Sequence, residues 1–119
     1  MLISASDPVG AALYDALDGL AMRQRVAAND IANMDTPGFT ASRVDFESAL
    51  RAAVADGSVT QGPVQPATEL SAATPGANGN NVDLAGETMT AMQASYQYQL
   101  ISRAVGDRFN LITTAIGGM

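Results

Sequence analysis

The 119-residue sequence predicts a mainly α protein: two long terminal helices form an antiparallel coiled-coil-like domain, with a short helix and an irregular segment between them. Three observations predict this. Leu13, Leu17, Leu20, Gln24, Ala27, Ile31 and Met34 keep a four-three spacing, the seam of a helix that packs along a partner. From Met89 to Ile116, apolar residues recur at the helical period. Between the two, residues 57–81 are rich in Pro, Gly, Ala, Ser, Thr and Asn and hold neither the helical nor the strand period. The chain therefore divides into a first helix with its closing turn (1–39), a middle segment (40–81) and a last helix (82–119).

The first six residues read as a frayed end. Asp7-Pro8 fits an N-cap followed by Pro in the first turn, a favoured helix start. Asp15, Asp18, Arg25 and Asn29 fall on a face away from the seam and read as solvated. Gln24 and Ala27 thin the seam, which suits either close helix approach or a weak core. About 25 residues of helix would be about 38 Å long. The helix must stop before Pro37, which lacks an amide hydrogen and disfavours helical geometry at Thr36. Asn33 is expected to close it in a left-handed conformation. Asp35-Thr36-Pro37-Gly38 then reads as a tight turn that needs a special dihedral at Gly38, with Phe39 as an apolar anchor.

Residues 40–44 are expected to be extended. A short helix near 45–55 follows, with Phe46, Leu50 and Val54 on its apolar face, a Glu47–Arg51 pair along its surface and Gly57 as terminator. Pro63, Pro66 and Pro75 punctuate the irregular stretch, and Asn78-Gly79 signals a turn. Asn80, Asn81 and Asp83 compete as N-caps of the last helix, which ends near Gly117-Gly118. That helix carries two apolar stripes, not one. Met89, Met92, Tyr96, Leu100 and Leu111 form the first; Tyr98, Ile101, Val105, Phe109, Ile112 and Ile116 form the second, roughly 140° away at 100° per residue. Between them runs a neutral polar stripe of Ser95, Gln99, Ser102, Asn110 and Thr113. One partner helix covers one stripe, so two stripes call for neighbours from other subunits.

Composition removes most chemistry. There are six Arg, no Lys and twelve carboxylates, a net charge of −6, which argues against nucleic acid. With no Cys and no His, thiol redox, structural zinc and imidazole acid–base catalysis are absent. Asp15 with Asp18, and Asp83 with Glu87, share helix faces, but such spacings are far more often solvated or helix-end charge than a catalytic dyad. Asp35, Asp45 and Glu47 lack the alternating acidic loop of a calcium site. Met89 and Met92 read as packing residues before they read as a promiscuous groove. Neither a catalytic residue nor a metal or cofactor is expected. No basic residue precedes Arg23 and no 18-residue apolar run exists, so neither a cleaved signal peptide nor a membrane-inserted span is expected.

The closing turn is more particular than a helix terminator requires. Asn29, Ile31-Ala32-Asn33, Thr36, Gly38 and Phe39 resemble the Asn-Ile-Ala-Asn-x-x-Thr-x-Gly-(Phe/Tyr) signature of the bacterial flagellar basal-body rod protein family, with Pro37 inside the turn and Asp30 where the family has its first Asn. Arg43-Val44-Asp45-Phe46 and Asn80-Asn81-Val82-Asp83-Leu84 are similar to proximal-rod members. The resemblance implies a structural subunit whose terminal helices form an axial domain and assemble into a helical tube around an export channel, lined by Ser95, Gln99, Ser102, Asn110 and Thr113. It implies contact with copies of itself and other flagellar rod proteins, the MS-ring/rod adaptor and the export gate. It also implies type III export to the periplasmic rod and a part in motility. A longer rod paralogue and a secreted helical-hairpin binding module are the alternatives.

Overall fold

The computed structural model describes residues 7–117, so the frayed end read at 1–6 and the terminator at Gly118 lie outside it. Along the chain come α1 (Pro8–Ala32), β1 (Ser42–Asp45), α2 (Glu47–Asp56), a 3₁₀ turn (Ser58–Thr60), β2 (Ala67–Leu70) and α3 (Leu84–Gly117). The molecule is long and thin, 66 × 26 × 17 Å.

α1 begins as its sequence dictates. The Asp7 carboxylate accepts the Gly10 amide at 3.1 Å, and Pro8 occupies the first turn, where its missing amide hydrogen costs nothing. α3 lies along α1. Asp7 at the start of α1 pairs with Arg108 late in α3, at 2.6 and 3.1 Å. The last turn of α1 and the first turns of α3 meet beside β1, where Asp30 accepts the Ser42 amide and Glu87 lines the same cavity as Ser42. The core sits at mid-length, where Ala16 and Leu20 of α1 meet Ala94 of α3, with Val44 and Phe46 closing one side. Small side chains dominate it. Ala16, Ala27 and Ala94 are buried, so the helices approach closely where bulk would hold them apart.

β1 and β2 pair antiparallel with Ser42 opposite Leu70 and Asp45 opposite Ala67. The strand at 67–70 is a correction to the irregular reading of 57–81. Ala67, Thr68, Glu69 and Leu70 are all exposed, so no burial pattern marks them, and the backbone ladder to β1 carries the pairing. α2 also departs from expectation. Glu47 reaches back to Arg23 rather than along the helix to Arg51, and Val54 remains 48% exposed while Ala53 is buried. A carboxylate offered a guanidinium across the fold gains two parallel hydrogen bonds, more than a surface i,i+4 pair supplies. Gly57 ends α2 with φ +81°, the left-handed closure that glycine permits.

Asp15 is not on a solvated face. Pro63, Val64, Gln65 and Pro66 of the middle segment fold over that side of α1, Asp15 is buried, and its Oδ2 has no hydrogen-bond partner among the described residues. Burial pushes this carboxyl above the usual range. Met34 falls beyond the end of α1 and is exposed, so the seam ends at Ile31.

Candidate functional site: the junction of the terminal helices

The residues that end α1 and those that precede α3 form one hydrogen-bonded junction. Asn33 does not adopt a left-handed conformation; its φ is −105°, and no non-glycine residue among those described has positive φ. Its side chain makes that conformation unnecessary. The Asn33 Nδ2 donates back to the Asn29 carbonyl at 2.8 Å, its backbone amide reaches the Asn29 and Asp30 carbonyls, and its Oδ1 accepts the Thr36 hydroxyl at 3.1 Å. The helix thus tightens and stops through its own side chain. Gly38 does take the special dihedral, φ +73°, and its amide donates to the Asn78 carbonyl at 2.9 Å. Gly79, at φ +79°, lies so close that a Cβ there would come within 3.3 Å of the Gly38 Cα. The close approach depends on the missing side chain of Gly79; a Cβ on Gly38 would meet nothing within 4 Å.

Asn80 and Asn81 are not caps of the last helix. Both are buried, and both serve the turn after α1. The Asn80 Nδ2 donates to the Asn33 and Thr36 carbonyls, each at 2.8 Å, while its Oδ1 accepts the Val82 amide. The Asn81 Oδ1 accepts the Ala41 amide at 2.7 Å, and its Nδ2 donates to the Ser71 and Ala73 carbonyls. An amide side chain offers donors and an acceptor together, which suits a place crowded with unpaired backbone groups of both kinds. The start of α3 is left to Asp83, whose carbonyl accepts the Glu87 amide. Its carboxylate lies over Gly86, where a Cβ would meet Oδ2 at 2.7 Å.

Three polar features escape sequence reasoning. Asp30 is 1% exposed, and both its oxygens accept the Ser42 amide, at 3.1 and 3.3 Å. Burial raises its affinity for a proton. Facing it, Glu87 is pushed up to about 7, first by burial and then by the Asp30 charge. Arg23 donates twice to Glu47, at 2.6 and 2.9 Å, and to the Val44 carbonyl at 2.7 Å, with its guanidinium 4.8 Å from the centre of the Phe46 ring. Those bonds hold Glu47 below the usual carboxylate range. Beneath the same ring lies Gly19, where a Cβ would collide at 2.3 Å. The only sequence trace of this seat is a glycine inside an otherwise regular helix.

Of the remaining motif residues, Ile31 and Phe39 are half-buried, Pro37 is exposed, and Asn29 contributes its carbonyl. The packing residues divide sharply. On α1, Leu20 is buried and Leu13 and Leu17 are half-buried. On α3, Ile101, Val105, Phe109 and Ile112 are half-buried and Tyr98 is at 36% exposure, whereas Ile116 is open. Met89, Met92, Tyr96, Leu100 and Leu111 stand between 49% and 73% exposed. Met89, Met92 and Tyr96 line a shallow surface hollow of about 510 Å³. On the neutral stripe, Gln99, Ser102, Asn110 and Thr113 are exposed, and Ser95 is half-buried. Asp35, Asp45 and Glu47 form no metal-holding cluster among the described residues.

A family model described as "flagella basal body rod protein" matches residues 15–40, most of α1 with its closing turn. The chain is also similar to three curated proteins named flagellar basal body rod protein FlgB. That of Escherichia coli (strain K12) is 34% identical over 116 residues, covering 79% of this chain and 84% of the relative. That of Bacillus subtilis (strain 168) is 30% identical, covering 89% and 91%. That of Borreliella burgdorferi is 29% identical, covering 84% and 89%.

Proposed function

Because this chain belongs to the FlgB family of flagellar basal body rod proteins and is a structural subunit of the proximal rod, we propose that its terminal helices act as an antiparallel, coiled-coil-like axial domain that packs with neighbouring subunits into a helical tube. The single observation that carries the proposal is the open stripe Met89, Met92, Tyr96, Leu100 and Leu111. α1 occupies the opposite side of α3, so no element among the described residues is left to cover it. At ~25 cal/mol per Å², covering what remains exposed of each side chain is worth roughly 1–2 kcal/mol. Such a row on a monomer is a binding surface.

In this reading, residues 1–39 and 82–119 supply the axial domain, and 40–81, with its two-stranded sheet, stands outside it. The motif Asn29, Ile31, Asn33, Thr36, Pro37, Gly38 and Phe39 fixes how the middle segment leaves the axial pair. Gln99, Ser102, Asn110 and Thr113 face the lumen of an export channel, polar enough to stay wet and uncharged enough to hold no passing chain; Ser95, partly covered, lies at the edge of that face. The partners are copies of the chain, the other rod proteins, the MS-ring/rod adaptor and the export gate. The chain reaches the periplasmic rod by type III export, and its role is structural rather than catalytic. No helix among the described residues is long and apolar enough to cross a membrane.

The absence of cysteine makes a clean test possible. Met92→Cys is expected to react with a polar maleimide in the free chain and to be protected at least tenfold in assembled rods. Equal labelling in both states would remove the stripe from the subunit contact.

A further inference from the structure

We propose that the outer edge of β2 is a docking edge for an extended segment of another protein, one that carries a cation opposite Glu69. The two edges of the sheet differ. The Ser71 amide donates to the Ala41 carbonyl at 2.8 Å, which sets the phase of the ladder. Ser42 and Val44 of β1, and Thr68 and Leu70 of β2, therefore turn their backbone groups away from the partner strand. On β1 those groups are closed off by α1. The Asp30 carboxylate takes the Ser42 amide at 3.1 Å, and Arg23 donates to the Val44 carbonyl at 2.7 Å. On β2 no side chain among the described residues reaches the matching groups, and all four residues of the strand are exposed. The open edge is also held in shape. Arg43 pairs with Glu69 across the sheet, and Asn81 donates to the Ser71 and Ala73 carbonyls just beyond it. A pre-ordered row of free amides and carbonyls is what strand addition uses.

Charge decides what kind of segment fits. Glu69 is the only charged residue of β2, and its contact with Arg43 is long, 3.5 Å, with both side chains more than half exposed. A second cation beside it is favourable. Another copy of this chain supplies none, since all six Arg lie in α1, α2, α3 or β1 and there is no Lys. Laying β2 antiparallel on β2 with Thr68 opposite Leu70 would also set Glu69 against Glu69. The occupant is therefore a different protein. Successive side chains of an added strand alternate between the faces of the sheet. One set lies beside Glu69 and takes Lys or Arg. The other lies over a hollow of about 260 Å³ that Thr68 shares with Met22, Arg25, Val26 and Asn29 of α1. Arg25 is exposed and has no ion pair among the described residues, so a carboxylate or an amide fits there. Pro66 falls in the same phase as Thr68 and has no amide, so the donor row begins at Thr68.

The docking edge presupposes the rod subunit proposed above, and hydrogen exchange in assembled rods tests it. In the free chain the outward Thr68 and Leu70 amides are expected to exchange close to the unprotected rate. In rods, exchange quenched and read residue by residue is expected to be at least about tenfold slower at both. Two variants follow, each read as a tagged minority in rods of the parent chain, so that assembly is kept. Glu69→Arg reverses the charge without touching the outward backbone and is expected to return both amides to fast exchange. Thr68→Pro removes an outward donor while leaving the bonds to β1, and is expected to do the same at Leu70. Maleimide labelling of Met92→Cys in the same rods separates this edge from the rod contact. Protection at position 92 with Thr68 and Leu70 still fast, or slow exchange at both that survives Glu69→Arg, would overturn the docking edge and leave the rod contact standing. Equal labelling of Met92→Cys in free chain and rods would overturn the rod contact and the docking edge with it.

Discussion

Gly19 and Gly38 are both needed as glycines, for opposite reasons. At Gly38 there is open space for a Cβ, and the constraint is φ +73°. Gly38→Ala is expected to cost about 1 kcal/mol and Gly38→Val more, read as a shift in urea midpoint at unchanged slope. At Gly19 the backbone is ordinary helix, and the constraint is the Phe46 ring, 2.3 Å from where a Cβ would stand. Gly19→Ala is expected to cost roughly 1–3 kcal/mol by displacing that ring, despite alanine's better helix propensity. A stabilised Gly19→Ala would show that the ring moves freely. The first requirement was legible in the sequence, because Thr-Pro-Gly announces a turn. The second was not, since nothing local tells which ring will lie on which helix. Asn33 is the instructive error: its side chain satisfies the helix end from a right-handed conformation, so the property that suggested left-handed closure was never used.

At the scale of elements, the periodic signals were reliable and the polar ones were not. The two long terminal helices and the stops at Asn33 and Gly57 follow from spacing and turn chemistry. The strand Ala67–Leu70 does not, because it buries nothing and its partner lies 25 or so residues back. Asn80 and Asn81 looked like caps because Asn before a helix usually caps it; here the carbonyls that the Asn80 amide reaches belong to the other end of the junction. Asn80→Ala is expected to cost about 1–3 kcal/mol by removing the buried side chain that ties the Asn33 and Thr36 carbonyls, which otherwise accept only the Thr36 and Phe39 amides, to the start of α3, and hydrogen exchange at residues 33–41 should rise with it. Unchanged exchange would show that water replaces the side chain there. The Arg23–Glu47 pair has a pH signature of its own. Glu47 is held below its ordinary 4.5, so the pair contributes above that pH and is lost as pH falls through the lowered value. Glu47→Gln should abolish that share of the acid sensitivity, and an unaltered acid limb would assign it to other carboxylates.

For the whole molecule, the decisive feature is asymmetry around α3. One side lies on α1, one is apolar and open, and one is polar without charge. A chain only 17 Å across its thinnest dimension buries few large side chains, Leu20 and Val59 chief among those nearly closed to solvent, so its own core is slight. The remaining burial has to come from other subunits. Met92→Glu is accordingly expected to leave the urea midpoint of the isolated chain within about 0.5 kcal/mol and to abolish rod incorporation, since the side chain is 68% exposed before assembly. The most direct test is a side-chain-resolution map of the assembled rod. The account predicts Met89, Met92, Tyr96, Leu100 and Leu111 packed against helices of neighbouring subunits, with Gln99, Ser102, Asn110 and Thr113 bordering the axial channel. A map with the apolar row in water, or with those four polar residues packed against other helices and no water path to the axis, would contradict it.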